Sequence, residues 1–349
     1  MYWRCLAGAT ALWLCLLPHS ADGAETRGFT TGTPPVIPSH MDGLVVEHVW
    51  QFDPDNLAEC VVQIQWVPGT DQVVTVHKHG IVRLYPSIDA SVDDFVQLID
   101  LRIAVDSDSD HGLLSLNFHP NFAGPNGTKT AFLMYSGNPK DVTLLPNNAA
   151  ISPKRPADWG SQTGDLPGGY EWPEDLCTNL GPDNYNGEIC EKVYYMDRVN
   201  VNLDAATPVM TPDITLYAGV CGSSSTHGPG SLLEINGDFY FSMGDGSQFA
   251  AMGSQFIPAP LNIIDPGFPD VDACYVPGAG LDQGQFRAQR LDFPNGKVMR
   301  IPGKLLDSPT PLTFDDMEIV TKGNRQPFRM FYRETDDTLF IGDVGQAST

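Results

Sequence analysis

Basic residues are scarce in this 349-residue sequence, and their scarcity narrows what the protein can bind. There are 20 Lys and Arg against 43 Asp and Glu, which gives a formal net charge of −23. Nucleic-acid binding needs Lys and Arg to replace the counterions of the phosphates, so this balance argues against it. A strongly negative charge is typical of a soluble extracellular protein that tolerates calcium.

Long apolar runs are missing beyond the N-terminus. Arg4 is followed by the apolar stretch Cys5–Leu17, which is too short to span a bilayer, and small residues around Gly23 form a cleavage site. We therefore expect residues 1–23 to be a secretory signal peptide, residues 24–42 to be a leader, and the protein to be secreted. No later stretch approaches the length of a membrane span.

Cysteines are few and widely spaced. No pair has the C-x-x-C spacing of a zinc or redox site. Cys177 and Cys190 enclose a short loop, and they are the pair we expect to form a disulfide in an oxidising compartment. Asn126-Gly127-Thr128 is an N-glycosylation sequence, so the protein is expected to be a glycoprotein.

Helical patterns are absent as well, whereas turn formers are frequent, with 34 Gly and 29 Pro. Short β-branched segments separated by turn residues recur in groups of four. The groups span residues 61–101, 113–218 and 231–320, and a fourth begins at residues 328–341. Repeated four-strand units predict an all-β fold, a β-propeller with about three and a half blades of four antiparallel strands.

The competing architecture is a β-sandwich. It would not explain why each unit opens with a Gly-containing loop followed by an apolar strand. We assign residues 43–349 to one partial propeller domain with long insertions at 136–190 and 250–291, both dense in Pro, Gly, Asn and Asp. Loops of this length are uncommon unless they are functional or mobile, and we expect both on one face.

Residues able to carry chemistry gather in three loop segments, at 110–120, 225–246 and 323–346. His227 stands in a Gly/Pro loop before a strand, where its side chain can point into a cavity. Histidine is the side chain best suited to accept a proton near neutral pH. The alternative is an ordinary exposed loop histidine.

The order and spacing of four motifs resemble the soluble quinoprotein glucose/sorbosone dehydrogenases. This family includes the aldose sugar dehydrogenases and the Hedgehog-interacting-protein-like proteins. The motifs are GLLSLNFHPNF (112–122), HGPGSLL with FSMGDG (227–246), GKVMRI (296–301) and GNRQPFRM with LFIGDVGQ (323–346). The resemblance implies a six-bladed propeller that binds pyrroloquinoline quinone (PQQ) and calcium on one face.

The resemblance also implies roles for the first two motif pairs. His227 matches the base that takes the hydroxyl proton from the sugar C1 while hydride passes to the quinone. Asp245 matches the carboxylate that orients this histidine, although an Asp before Gly246 is also a common turn residue. Asp110 aligns with a polar position near the sugar, which is weaker evidence.

The last motif implies the cofactor contacts. Arg325 matches the arginine that pairs with PQQ, a planar tricarboxylate that suits a guanidinium fork, and Gln326 stands where relatives have Asn. The alternative for Arg325 is a surface arginine. Gly345 and Gln346 match the positions whose carbonyls hold calcium. Asp343 could assist or be a turn residue.

An acidic run, Asp106-Ser107-Asp108-Ser109-Asp110, suggests calcium but departs from an EF-hand loop, and such runs are more often solvated loops. His111 and His119 are expected to be structural. Two departures from the family are notable. Thr226 replaces an Asp or Asn, and Gly228-Pro229 replaces a more polar pair.

The sequence ends at Thr349 without a counterpart for the later Lys and Arg residues that the family uses for PQQ, and we expect a piece of a longer protein. The segment Leu44–Phe52 is expected to close the ring with a later blade. Two functions remain open. One is a secreted PQQ- and calcium-dependent sugar dehydrogenase with an external electron acceptor. The other is a non-enzymatic extracellular ligand-binding propeller of the Hedgehog-interacting type.

Overall fold

Antiparallel β-sheets make up nearly all of the regular structure. The computed structural model describes residues 4–6, 14–16, 50, 52, 60–102, 104–107, 110–124, 126–137, 192–222, 227–246, 288–291 and 294–345. These residues contain sixteen strands, three complete single-turn 3₁₀ helices (Gly303–Leu305, Phe314–Asp316 and Glu334–Asp336) and no α-helix. None of them forms a helix long and apolar enough to cross a membrane.

Three sheets have four strands each, and the strands pair in chain order. The first sheet is β3 (Val61–Trp66), β4 (Val73–His77), β5 (Ile81–Tyr85) and β6 (Val96–Asp100). The second is β7 (Leu113–Phe118), β8 (Thr130–Gly137), β9 (Lys192–Asn202) and β10 (Val209–Gly222). The third is β11 (Pro229–Ile235), β12 (Asp238–Met243), β13 (Lys297–Ile301) and β14 (Glu318–Lys322).

Two hairpins complete the described strands. β15 (Pro327–Arg333) pairs with β16 (Thr338–Asp343) as the start of a fourth unit, and β1 (Arg4–Leu6) pairs with β2 (Leu14–Leu16) near the N-terminus. Most strands of the three four-stranded sheets are rich in Val, Ile, Leu and aromatic residues, which suit a buried pleated surface, whereas the outer strand β14 is alternately exposed.

The first strands of the four units lie side by side around a common axis. We call these first strands, β3, β7, β11 and β15, the inner strands. In β3, β7 and β11, the side chain of the third residue forms a hydrogen bond with the backbone of the next inner strand along the chain. The Gln63 amide exchanges two hydrogen bonds with Leu116 (2.7 and 2.8 Å), and Ser115 accepts from the N–H of Leu232 (2.9 Å). Ser231 donates to the Phe328 carbonyl (3.1 Å). This radial order makes the fold a β-propeller, as the sequence predicts.

Arg329 occupies the same third position in β15, but its guanidinium reaches back across the hub. It donates to the carbonyls of Val62 (3.1 Å), Leu114 (3.4 Å) and Gly230 (3.1 Å), one on each of the other inner strands. A single side chain thus ties all four inner strands together, with charge-assisted bonds that are stronger than neutral ones.

Two hydrophobic layers fill the spaces between neighbouring sheets. One layer joins the first and second sheets, for example through Val76, Leu116 and Leu133. The other joins the second and third, where Phe132 packs edge-to-face on Phe239 with ring centroids 4.7 Å apart. Face-to-face burial of successive sheets is the main source of stability, at about 25 cal/mol per Å² of apolar surface.

Fourteen of the sixteen observed strands, β3 to β16, match strands predicted within the four groups to within five residues at each end. The other two, β1 and β2, were not predicted. The predicted units and the all-β fold class are therefore confirmed. The predicted signal peptide and leader, the two insertions and the Cys177–Cys190 pair fall wholly or mostly outside the described residues. Of the predicted closing segment Leu44–Phe52, only two residues are described. One of them, Trp50, packs on Tyr85 in a tilted arrangement with ring centroids 4.3 Å apart.

Candidate functional site

The candidate site lies at the end of the sheets where the inner strands begin and the second strands finish. Five backbone hydrogen bonds of 2.8–3.0 Å join the loops that meet there. They run from Gly244 to Gly228, from Asp245 to Arg325, from Gly296 to Gly244, from Asn324 to Gly296 and from Val344 to Gln326. The third sheet and the β15–β16 hairpin therefore hold the predicted residues in one fixed cluster.

A buried histidine–carboxylate pair stands in this cluster. His227 Nδ1 lies 2.7 Å from Asp245 Oδ1, and the two residues are 4% and 2% exposed. His227 precedes β11 with a left-handed backbone (φ 59°), and Asp245 follows β12. A carboxylate on Nδ1 fixes the ring tautomer and leaves Nε2 as the proton acceptor. This arrangement can serve as a general base.

Asp110 joins the pair from the second sheet. It lies just before β7. Burial raises the pKa of Asp110, and the charges of His227, Lys78 and Arg325 oppose that rise. Asp110 therefore lies within electrostatic range of His227 and Arg325.

Arg325 and Gln326 lie in the loop before β15, and Asp343 holds that loop in shape. The Asp343 carboxylate accepts both backbone N–H groups, from Arg325 at 3.1 Å and from Gln326 at 2.6 Å. Asp343 therefore caps the loop that carries Arg325 and Gln326. Gln326 is 2% exposed, and among the described residues neither its Nε2 nor its Oε1 has a hydrogen-bond partner.

The predicted calcium position is described only in part. Gln346 lies outside the described residues. The carbonyls of Gly345 and Val344 accept hydrogen bonds from the charged side chain of Arg325. Arg325 Nη1 donates to the Val344 carbonyl at 2.9 Å and to the Gly345 carbonyl at 3.3 Å. These two oxygens can therefore stabilise positive charge, which is the property that a calcium site requires.

The acidic run 106–110 is not a solvated loop where it is described. Asp106 is buried, with its backbone bonded to Ser136, and Ser107 Oγ lies 2.6 Å from His79 Nδ1. For Asp106 the solvated-loop interpretation is wrong, because this residue packs against the end of β8 rather than facing water. Within the described part of the chain, no group of His, Cys, Asp and Glu residues could hold a metal ion.

His111 and His119 have structural contacts, in line with expectation. His111 is fully buried and stacks on Tyr194 with ring centroids 5.7 Å apart. His119 Nδ1 accepts the N–H of Asn121 at 3.0 Å, and its ring stacks on Phe132.

Two buried lysines near this end were missed by the sequence analysis. Lys78 follows β4 and acts on Asp110. Lys297 begins β13 and donates to the carbonyls of Ala288 (3.2 Å) and Asn295 (2.8 Å). The repeat could have revealed them. It places both lysines at the ends of buried strands beside the site, where a side chain has little access to water.

Comparison with known proteins finds similar folds among sugar dehydrogenase structures. No model of a protein family matches the chain, and neither does any curated protein. The apo soluble aldose sugar dehydrogenase of Escherichia coli is 13% identical with a TM-score of 0.46, over 83% of this chain and 58% of that one. A structure described as a putative glucose dehydrogenase of Thermus thermophilus is 13% identical with a TM-score of 0.41, over 77% and 53%.

A third structure, of a glucose dehydrogenase, is 11% identical with a TM-score of 0.45, over 82% of this chain and 58% of that one. The present chain therefore spans less than two thirds of the length of these structures. Likeness at this level bears on neither substrate nor mechanism.

Proposed function

We propose that the protein is a secreted quinoprotein-type oxidoreductase that oxidises an aldose at C1. The observation that carries the proposal is the buried His227–Asp245 pair, held at 2.7 Å beside Arg325 and Gln326. A base with an oriented, buried imidazole is suited to remove a hydroxyl proton, and the adjacent polar loop is suited to hold a flat anionic cofactor.

The Gln326 side chain supports PQQ as the cofactor. The buried amide of Gln326, unpartnered among the described residues, needs a polar ligand, because burying an amide without hydrogen bonds costs about 1–3 kcal/mol. A planar molecule with carbonyl and carboxylate oxygens would satisfy it, and the Arg325 guanidinium beside it would pair with a carboxylate. PQQ, when bound, supplies the acceptor for the C1 hydride.

The chain's own residues then have separate tasks. His227 takes the C1 hydroxyl proton on Nε2, and Asp245 stabilises the imidazolium that results. The carbonyls of Gly345 and Gln346 would hold calcium, for which Arg325 must leave the Gly345 carbonyl.

Two measurements test the proposal. Calorimetric titration of PQQ into the full chain, with calcium or with EDTA, should show binding that EDTA weakens. Dye reduction with PQQ, calcium and an aldose should follow. Binding of neither PQQ nor calcium would favour the ligand-binding alternative and remove the dehydrogenase proposal.

A further inference from the structure

Asp343 is an exposed residue whose carboxylate is bonded to the backbone of a neighbouring loop. It ends β16, beside the loop that leads into β15. Its Oδ1 accepts the N–H of Gln326 at 2.6 Å, and its Oδ2 accepts the N–H of Arg325 at 3.1 Å. Bonds of an N–H to an ionised oxygen are stronger than neutral ones. Both oxygens of a carboxylate that water could satisfy are therefore engaged by two successive peptide groups.

The shorter of these bonds acts on a peptide group that also contacts the buried pair. The N–H of Gln326 and the carbonyl of Arg325 belong to one planar peptide unit. That carbonyl accepts the N–H of Asp245 at 2.8 Å, and Asp245 Oδ1 lies 2.7 Å from His227 Nδ1. Three hydrogen bonds in line therefore connect the carboxylate of Asp343 to the imidazole.

The planarity of this peptide unit couples its two ends. A rotation that breaks the bond to Asp343 also turns the Arg325 carbonyl away from Asp245, because the unit moves as one piece. A negative charge at the N–H also polarises the carbonyl, which strengthens the bond that the carbonyl accepts. The neighbouring unit is held as well, since the Gln326 carbonyl accepts the N–H of Val344 at 2.9 Å.

We infer that Asp343 is a positioning residue, which orients the peptide unit between Arg325 and Gln326 and, through it, Asp245. One exposed carboxylate then fixes both the loop that presents Arg325 and Gln326 and the partner of His227. The catalytic consequence rests on the proposed function, whereas the coupling between Asp343 and Asp245 does not.

The direct test is hydrogen exchange of single backbone amides in the full chain without added ligand, measured by mass spectrometry with residue-level fragmentation. In Asp343→Ala the amides of Gln326 and Asp245 should both exchange about tenfold faster than in wild type. The amide of Leu133, in the core of the second sheet, should be unchanged, which separates a local effect from general destabilisation. Asp343→Glu keeps the carboxylate and should restore slower exchange.

Asp316→Ala is the matched control. Asp316 is also exposed, and its carboxylate accepts the N–H of Thr313 at 2.7 Å, but this bond lies in the loop before β14. The control should leave the exchange of Asp245 as in wild type. Faster exchange that is confined to Arg325 and Gln326, with Asp245 unchanged, overturns the inference, and so does equal acceleration of Asp245 in Asp316→Ala. Asp343→Asn replaces Asp343→Ala, with the same criteria, if the alanine variant does not fold.

A second readout connects Asp343 to catalysis. In Asp343→Ala the Kd for PQQ, measured by calorimetry, should rise about tenfold. At saturating PQQ and calcium, kcat should still fall about tenfold while KM for the aldose changes little, because the partner of the base is displaced. Asp316→Ala should change neither value. A wild-type kcat at saturating PQQ would contradict the catalytic consequence. Absence of PQQ binding and sugar oxidation in wild type would remove the proposed function and leave hydrogen exchange to decide the role of Asp343.

Discussion

The second and third sheets each place a histidine at the same position, but the two side chains have different partners. His111-Gly112 precedes β7, and His227-Gly228 precedes β11. The strand registers pair Leu113 with Tyr135 and Pro229 with Met243, so Gly137 of the second sheet stands where the third has Asp245. His111 consequently stacks on Tyr194, whereas His227 bonds a carboxylate.

In both sheets the repeat places an imidazole at the same buried position. The chemistry differs because the third sheet has Asp245 where the second sheet has Gly137. Around Gly137 the space is already filled. A Cβ there would lie 2.7 Å from the Ala104 carbonyl oxygen and 2.8 Å from the Tyr195 ring. In the second sheet, the Ala104 carbonyl and the Tyr195 ring fill the space that Asp245 occupies in the third sheet.

The largest predicted effect separates the two histidines directly. His227→Asn should lower kcat for aldose oxidation by about 10³-fold, because the general base is lost, with little change in thermal unfolding. His111→Asn should lower the unfolding temperature and change kcat much less. Steady-state dye reduction and calorimetric unfolding measure both. Equal losses of kcat in the two variants would contradict the division of roles.

Removal of the carboxylate should make His227 resemble His111 more closely. Asp245→Asn keeps the size of the side chain but no longer favours the imidazolium, so kcat should fall by about 10²-fold. PQQ binding, measured by calorimetry, should be nearly unchanged. A variant that retained wild-type kcat would show that Asp245 is only a turn residue.

Installing the carboxylate in the second sheet should fail for steric reasons. Gly137→Asp is expected to destabilise the protein by about 2 kcal/mol in urea unfolding, because the new side chain overpacks the site beside Tyr195. Gly342→Ala is the control, since its Cβ would meet only the Arg329 carbonyl oxygen at 3.4 Å. A stable Gly137→Asp variant would mean that packing does not exclude the pair.

The smallest effect concerns pH. Burial raises the folded-state pKa of Asp110, so the carboxyl favours folding when it is protonated and that contribution is lost as pH rises through the folded pKa. Asp110→Asn should therefore gain stability relative to wild type as the pH increases from acid to neutral. Urea unfolding at several pH values measures the difference. A gap that is constant with pH would show that Asp110 has an ordinary pKa.

The sequence predicted the strands well because turn residues and β-branched segments are local signals. It also predicted His227, Asp245 and Arg325 as one site, through the resemblance of the motifs that carry them. It did not predict Lys78, the cap by Asp343 or the burial of Asp106. The contacts of Lys78 and Asp106 are between sheets, and the Asp343 cap joins the ends of two paired strands. The order of residues in one strand reveals neither.

Arg329 has a consequence for how the protein is made. Its guanidinium bonds residues that precede it by 99, 215 and 267 positions. Contacts between distant parts of a chain form late, because loop closure must come first. When only the first three sheets have been translated, their inner strands therefore lack the Arg329 side chain that joins them. The central strands reach their final spacing only after residue 329 has left the exit tunnel.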